Sequence, residues 1–146
     1  MSRFKDVAEL RRVFDRLFDL LSTDRDTGPA LRAKDTPQRF VFTDFATTLD
    51  VWPADVRRAR TGHSLDWTWD ARKPPREPAV ALEMTSEVAN RYFQGKENVP
   101  LALVRKRIVV AAGDAQKALD LLPIVLPFHP KWVARMKSDG LTHLLV

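Results

Sequence analysis

The chain has 146 residues, 45 % hydrophobic and 29 % charged, the composition of one globular domain able to bury roughly 70 % of its extended-chain surface. It contains no cysteine, which excludes disulfides, thiolate chemistry and cysteine-ligated zinc and suits a cytoplasmic setting. The net charge of +5 raises nucleic acid or an anionic membrane surface as partners, but the bases come in short groups such as Arg105-Lys106-Arg107, with carboxylates between most of them. That pattern favours a solvated surface, leaves an anionic lipid surface open and argues against nucleic acid.

Phe4, Val7, Leu10, Phe14, Leu17, Phe18 and Leu21 recur at three- and four-residue steps, which predicts an amphipathic helix over residues 1–21. Charges such as Arg3, Lys5, Asp6 and Glu9 interrupt any signal-peptide core there. No run approaches the roughly 18 apolar residues of a membrane span. Ser22 to Lys34 is a polar connection with a short helical turn expected around Ala30 to Ala33. Phe40 and Phe42 then alternate with Val41 and Thr43. Thr48 to Trp52 makes a second strand closed by Pro53, and Leu65, Trp67 and Trp69 alternate with Asp66, Thr68 and Asp70 in a third.

Residues 79 to 114 are the most informative stretch. Val80, Leu82 and Met84 point one way along a strand, while Ala79, Ala81 and Glu83 point the other. Thr85 or Ser86 caps a helix whose apolar face is Val88, Ala89, Tyr92 and Phe93, and Gly95 stands at its C-terminal cap. Asn98 and Pro100 open a short helix carrying Leu101 and Val104. Ile108 to Ala112 is apolar on both faces and reads as an interior strand. Asp114 caps a helix with Ala115, Ala118, Leu119 and Leu122 on one side. The pattern is α+β, a single sheet with helices largely on one face, with no second domain or internal repeat.

Reactive constellations are sparse. His63, His129 and His143 are far apart and form no metal-ligand pair. Gly95-Lys96 lacks the upstream glycine of a phosphate loop, Asn90 standing there, and Glu97 replaces the hydroxyl residue. No GxSxG elbow occurs. Asp66 and Asp70, with Asp50 on a neighbouring strand, offer carboxylates for acid/base work by a small enzyme on an apolar substrate, but their alternation with tryptophans turns them toward water. No catalytic residue, metal or cofactor is assigned.

The strand VALEM, the helix ending Gln94-Gly95-Lys96, the short helix with Leu101-Ala102, the strand RIVVAAGD and the helix after Asp114 follow in an order that resembles the sterol carrier protein type 2 family. The likeness is best over Val80–Leu122 and weaker through the earlier strands to the N-terminal helix. Arg107 departs from it, standing where members often have a glycine. The resemblance implies one domain over 1–146, with a C-terminal helical tail or lid over 123–146. It implies a five-stranded, mostly antiparallel sheet covered by helices and enclosing an apolar tunnel. The implied role is non-catalytic binding or transfer of a fatty acyl chain, sterol or isoprenoid. The partners would be that lipid, a transient anionic membrane surface, or an enzyme to which a lipid intermediate is presented.

Residues expected to line such a space are Phe18, Phe40, Phe42, Trp67, Trp69, Leu82, Met84, Phe93, Leu101, Val104, Leu119, Leu122, Phe128, Trp132 and Met136. Each is equally a type of which ordinary cores are made. Phe128, Trp132, Val133 and Met136 share an apolar side flanked by Lys131, Arg135 and Lys137. This tail either packs on the sheet with its bases in water or docks at a lipid headgroup surface.

Overall fold

The structure, a computed structural model, describes residues 2–146. Its first helix, α1 (Val7–Thr23), begins where Asp6 accepts a hydrogen bond from the Glu9 amide, and it buries the stripe Leu10, Val13, Phe14, Leu17, Phe18 and Leu21. α2 (Thr27–Lys34) is a full helix rather than a turn: Asp24 receives the Thr27 amide at 2.8 Å, and the helix ends at Asp35 in a left-handed conformation. α3 (Val56–Arg60), capped by Asp55, is a helix that periodicity does not announce, because its five residues bury nothing.

Five strands form one sheet: β1 (Gln38–Phe42), β2 (Thr47–Pro53), β3 (Leu65–Trp69), β4 (Val80–Met84) and β5 (Val109–Gly113), in the order β3-β2-β1-β4-β5. All neighbours are antiparallel except β1 with β4. α4 (Ser86–Phe93) starts at Thr85, whose hydroxyl accepts from the Val88 amide. α5 (Val99–Val104) starts at Asn98, and α6 (Ala115–Leu119) at Asp114. After α7 (Leu122–Val125) a 3-10 turn at Leu126–Phe128 leads into α8 (His129–Ser138).

Period-two geometry divides the sheet. Phe40, Phe42, Leu49, Val51, Val80, Leu82 and Met84 are buried on one face, under the helices. On the other, Arg39 and Asp50 stand opposite each other and pair through two hydrogen bonds of 2.8 and 2.9 Å. The fold therefore agrees with the α+β reading, including its mostly antiparallel sheet. β5 does not. It is an edge strand, exposed along most of its length, because the chain returns from β3 to pair β4 with β1 and leaves β5 outside. Ala112 pairs with Ala81 and Val110 with Leu82, so Ala111 is an extra residue in a bulge.

The position before this strand is equally specific. Lys106 carries the left-handed backbone, φ 60°. Arg107 follows it and reaches back to Glu97, with Nε at 3.0 Å and Nη2 at 2.8 Å from one carboxylate oxygen.

Candidate functional site

The buried face of the sheet and the helices enclose two apolar crevices. The first, about 30 Å³, lies between β1–β2, α1, α2, α4 and α7 and is walled by residues including Phe18, Leu21, Leu31, Val51 and Phe93. The second, about 10 Å³, lies between β1–β4, α5 and α6, against Leu82, Met84, Val99, Ile108, Ala118 and Leu122. Gln38, Phe40 and Tyr92 border both, so the crevices are two halves of one slot divided by these side chains.

The tunnel expected from the resemblance is not shown. Small-molecule sites enclose roughly 300–1,000 Å³, whereas these crevices have room for little more than a water molecule. Aromatic packing accounts for the difference. Phe93 meets Phe14 and Phe18 edge-on with ring centroids 5.6 Å away in each case, and Phe40 stands 6.1 Å from it.

The slot has two approaches. Tyr92, Val99 and Leu122 also border a surface cleft of about 210 Å³, whose rim includes Gly95, Glu97, Asn98, Pro100, Leu126 and His129. At the other end, Trp52 and Pro53 are shared with an open polar basin of about 510 Å³ bearing Arg32, Asp35, Asp55, Asp66 and Arg76. Tyr92 thus stands where both crevices and the cleft meet. Burial pushes its hydroxyl pKa up to about 12, so it remains a protonated donor. Gly95, at φ +76°, ends α4, and a Cβ there would lie 2.8 Å from His129 Nδ1. Burial pushes the His129 pKa down, and neither ring nitrogen has a partner among the described residues.

Among the residues singled out from sequence, Phe18, Phe40, Leu82, Met84, Phe93 and Leu122 line the slot. Phe42, Phe128, Trp132 and Met136 are solid core, and Leu119 packs half-buried against it. Trp67 and Trp69 cover α1 from β3, their indole nitrogens donating to Asp15 Oδ1 at 3.0 and 2.8 Å. Leu101 and Val104 turn outward, Val104 being 76 % exposed.

Sequence reasoning assigned neither Gln38 nor Tyr92 to the lining. Gln38 carries a readable signal: it has the parity of Phe40 and Phe42, a polar residue on the apolar face of its strand. In the tail, Lys131 bonds Asp24 at 2.7 Å and Arg135 bonds Asp139 at 3.0 Å, while Trp132 is buried. The tail packs inward with its bases outside.

The aspartates considered for catalysis face elsewhere. Asp50 is held by Arg39, Asp70 by Arg11 and Thr47, and Asp66 lies 3.9 Å from Arg58 at the surface. No trio of His, Asp or Glu side chains among the described residues is placed to hold a metal, and no helix there is long and apolar enough to cross a membrane.

No protein-family model and no curated protein matches the sequence. Solved structures do. UbiJ-SCP2, a ubiquinone synthesis protein, superposes with a TM-score of 0.58 at 11 % identity, over 86 % of this chain and 93 % of that one. The stereoselective inverting sec-alkylsulfatase Pisa1 from Pseudomonas sp. gives 0.58 at 20 % identity, over 75 % of this chain but 16 % of the sulfatase. A double variant of that sulfatase gives 0.59 at 19 %, with the same coverage. The chain thus corresponds to about a sixth of the sulfatases' length. At these identities the likeness is one of fold, and the fold is that of the sterol carrier domain.

Proposed function

We propose that this chain is a non-catalytic carrier that takes up a hydrophobic small molecule between its sheet and helices. The observation that carries the reading is the divided slot: two apolar crevices meeting at Gln38, Phe40 and Tyr92, with no ionisable group in either wall apart from the Tyr92 phenol. Such walls supply burial, worth roughly 0.8 kcal/mol per methylene before ordering costs, and no nucleophile, acid or base suited to turnover. The fold shared with a ubiquinone synthesis protein supports the same reading.

The narrowness of the slot is consistent with this role. An open dry cavity of about 300 Å³ would cost on the order of 7 kcal/mol, comparable with the whole stability of a domain. A carrier therefore keeps its walls together and parts them for its cargo. Leu126 and Pro100 flank the cleft that leads to Tyr92 and Leu122, a route for an alkyl or isoprenoid chain into the slot. The slot it opens into is walled by Phe18, Phe40, Leu82, Met84, Phe93 and Leu122.

A second reading, an accessory module that presents a lipid intermediate to a partner enzyme, is favoured by one observation: the same fold occurs as about a sixth of a sulfatase chain. Native mass spectrometry of protein purified from cell extract, followed by solvent extraction, tests the carrier reading. An apolar molecule released at stoichiometric mass is the expected result. Protein that emerges clean and also ignores a panel of fluorescent lipids would defeat it. A stable hetero-complex on purification would select the accessory reading.

A further inference from the structure

We infer that His129 is an acid-opened gate on the cleft that leads to the slot: when its imidazole takes a proton the ring swings out into water, and cargo exchange quickens. The inference rests on the carrier reading and adds to it a control by pH.

The ring is a partition. His129, Gly95 and Leu126 border both the cleft of about 210 Å³ that reaches Tyr92 and Leu122 and an open groove of about 540 Å³ on the far side, which also holds Lys96, Val133 and Lys137. The imidazole lies across Gly95, where a Cβ would come within 2.8 Å of Nδ1 and 3.2 Å of Cγ. Its other flank meets Tyr92 edge-on, with ring centroids 6.3 Å apart. Phe128 and Trp132 on either side of it are buried, so the start of α8 is anchored and the motion is one of the side chain. Once the ring enters the groove, no side chain of Gly95 takes its place, and the cleft joins the open water.

The closed position suits only a neutral ring. Both nitrogens are shielded from solvent and without a partner among the described residues, and burial holds the pKa below its ordinary value of 6.5. Nothing bordering the two cavities answers an imidazolium. From α4 comes Tyr92, a protonated phenol. Beyond α4, Glu97 already takes Arg91 and Arg107, each at 2.8 Å. Lys96 and, from α8, Lys137 add positive charge. A ring in water therefore binds a proton more readily than the closed ring. The closed form is fully favoured above about pH 6.5 and loses ground as pH falls below it, by at most about tenfold per unit.

The test follows release of NBD-labelled dodecanol, uncharged across this range, into excess unlabelled dodecanol by stopped flow at pH 7.5 and 5.5. Release should be up to about tenfold faster at the lower pH. His129→Phe, shown to be folded by its thermal transition, should release slowly at both values, and His129→Lys, with a fixed charge, rapidly at both. Equal rates in the unmodified protein, or a pH response that survives in His129→Phe, would overturn the gate and leave the carrier reading standing. Protein that takes up no probe at either pH would overturn both. In the cargo-free protein, a neutral gadolinium chelate should broaden the His129 ring resonances at pH 5.5 and spare them at 7.5. A ring equally shielded at the two values would overturn the gate whatever the probe does.

Discussion

Arg107 sets two of its guanidinium nitrogens on a single oxygen of Glu97, at 3.0 and 2.8 Å, while Arg91 holds the other oxygen at 2.8 Å. The three residues tie the end of α4 to the loop before β5. Burial alone would push the Glu97 carboxyl up. Hydrogen bonds from Arg91 and Arg107, and their charges, outweigh it and hold the pKa below its ordinary value near 4.5. A depressed folded-state pKa means stability that is present above the unfolded value and lost as pH falls through the folded one. We expect Arg107→Met to cost about 1–3 kcal/mol near neutral pH, and the deficit to shrink below pH 4 as Glu97 protonates. Urea denaturation at both pH values measures it, and a pH-independent deficit would contradict the ion-pair account.

A Cβ on Gly113 would lie 2.1 Å from the Ala79 carbonyl oxygen, and its φ is +78°. Gly113→Ala should therefore cost about 2–4 kcal/mol, the sum of a backbone clash and a left-handed alanine. Gly140 also has a positive φ, of +73°, but nothing lies within 4 Å. Gly140→Ala should cost only about 1 kcal/mol. Equal losses for the two variants would show that the close approach at Ala79 does not matter.

Lys106 presents the opposite case, a side chain where glycine is at ease, with φ 60°. Lys106→Gly is expected to raise stability by about 0.5–1 kcal/mol, because the left-handed strain exceeds the entropy glycine adds to the unfolded chain. The readout is a higher denaturation midpoint with an unchanged slope.

Asp15 accepts both indole hydrogens of β3. Asp15→Ala should cost about 1 kcal/mol, since the site is partly solvated, and should red-shift the tryptophan emission. Asp15→Asn, which keeps an acceptor, should restore most of both.

Ala118 is buried against the second crevice. Ala118→Leu should fill that half of the slot, abolish uptake of a neutral fluorescent lipid, and cost no more than about 1–3 kcal/mol of stability. Undiminished uptake by the folded variant would place the cargo elsewhere.

Much of this fold was legible because burial imposes a period. The stripe from Leu10 to Leu21 and the alternation of Val80, Leu82 and Met84 state their own geometry. So do the caps at Thr85, Asn98 and Asp114, where a side-chain oxygen replaces a missing carbonyl. The position of β5 was not legible. Apolar runs signal interior strands on average, but whether a strand ends at the edge depends on which neighbours the chain pairs first. α3 gave no sign either, having no buried face to impose a repeat. For the slot, Trp132 and Met136 belong to the same residue types as Phe93 and Leu82, and only packing separates filler from wall. Gln38 was the exception, a polar residue breaking an apolar rhythm.

The extra residue at Ala111 has a consequence for how molecules of this chain meet one another. β5 leaves one side of its backbone without a protein partner, and its small side chains offer little to repel a stranger. An intruding strand would need an uninterrupted ladder to settle there, yet the bulge throws the amides on either side of Ala111 out of step. The kink thus guards against fibril-like stacking on the border of the sheet that charged side chains protect least.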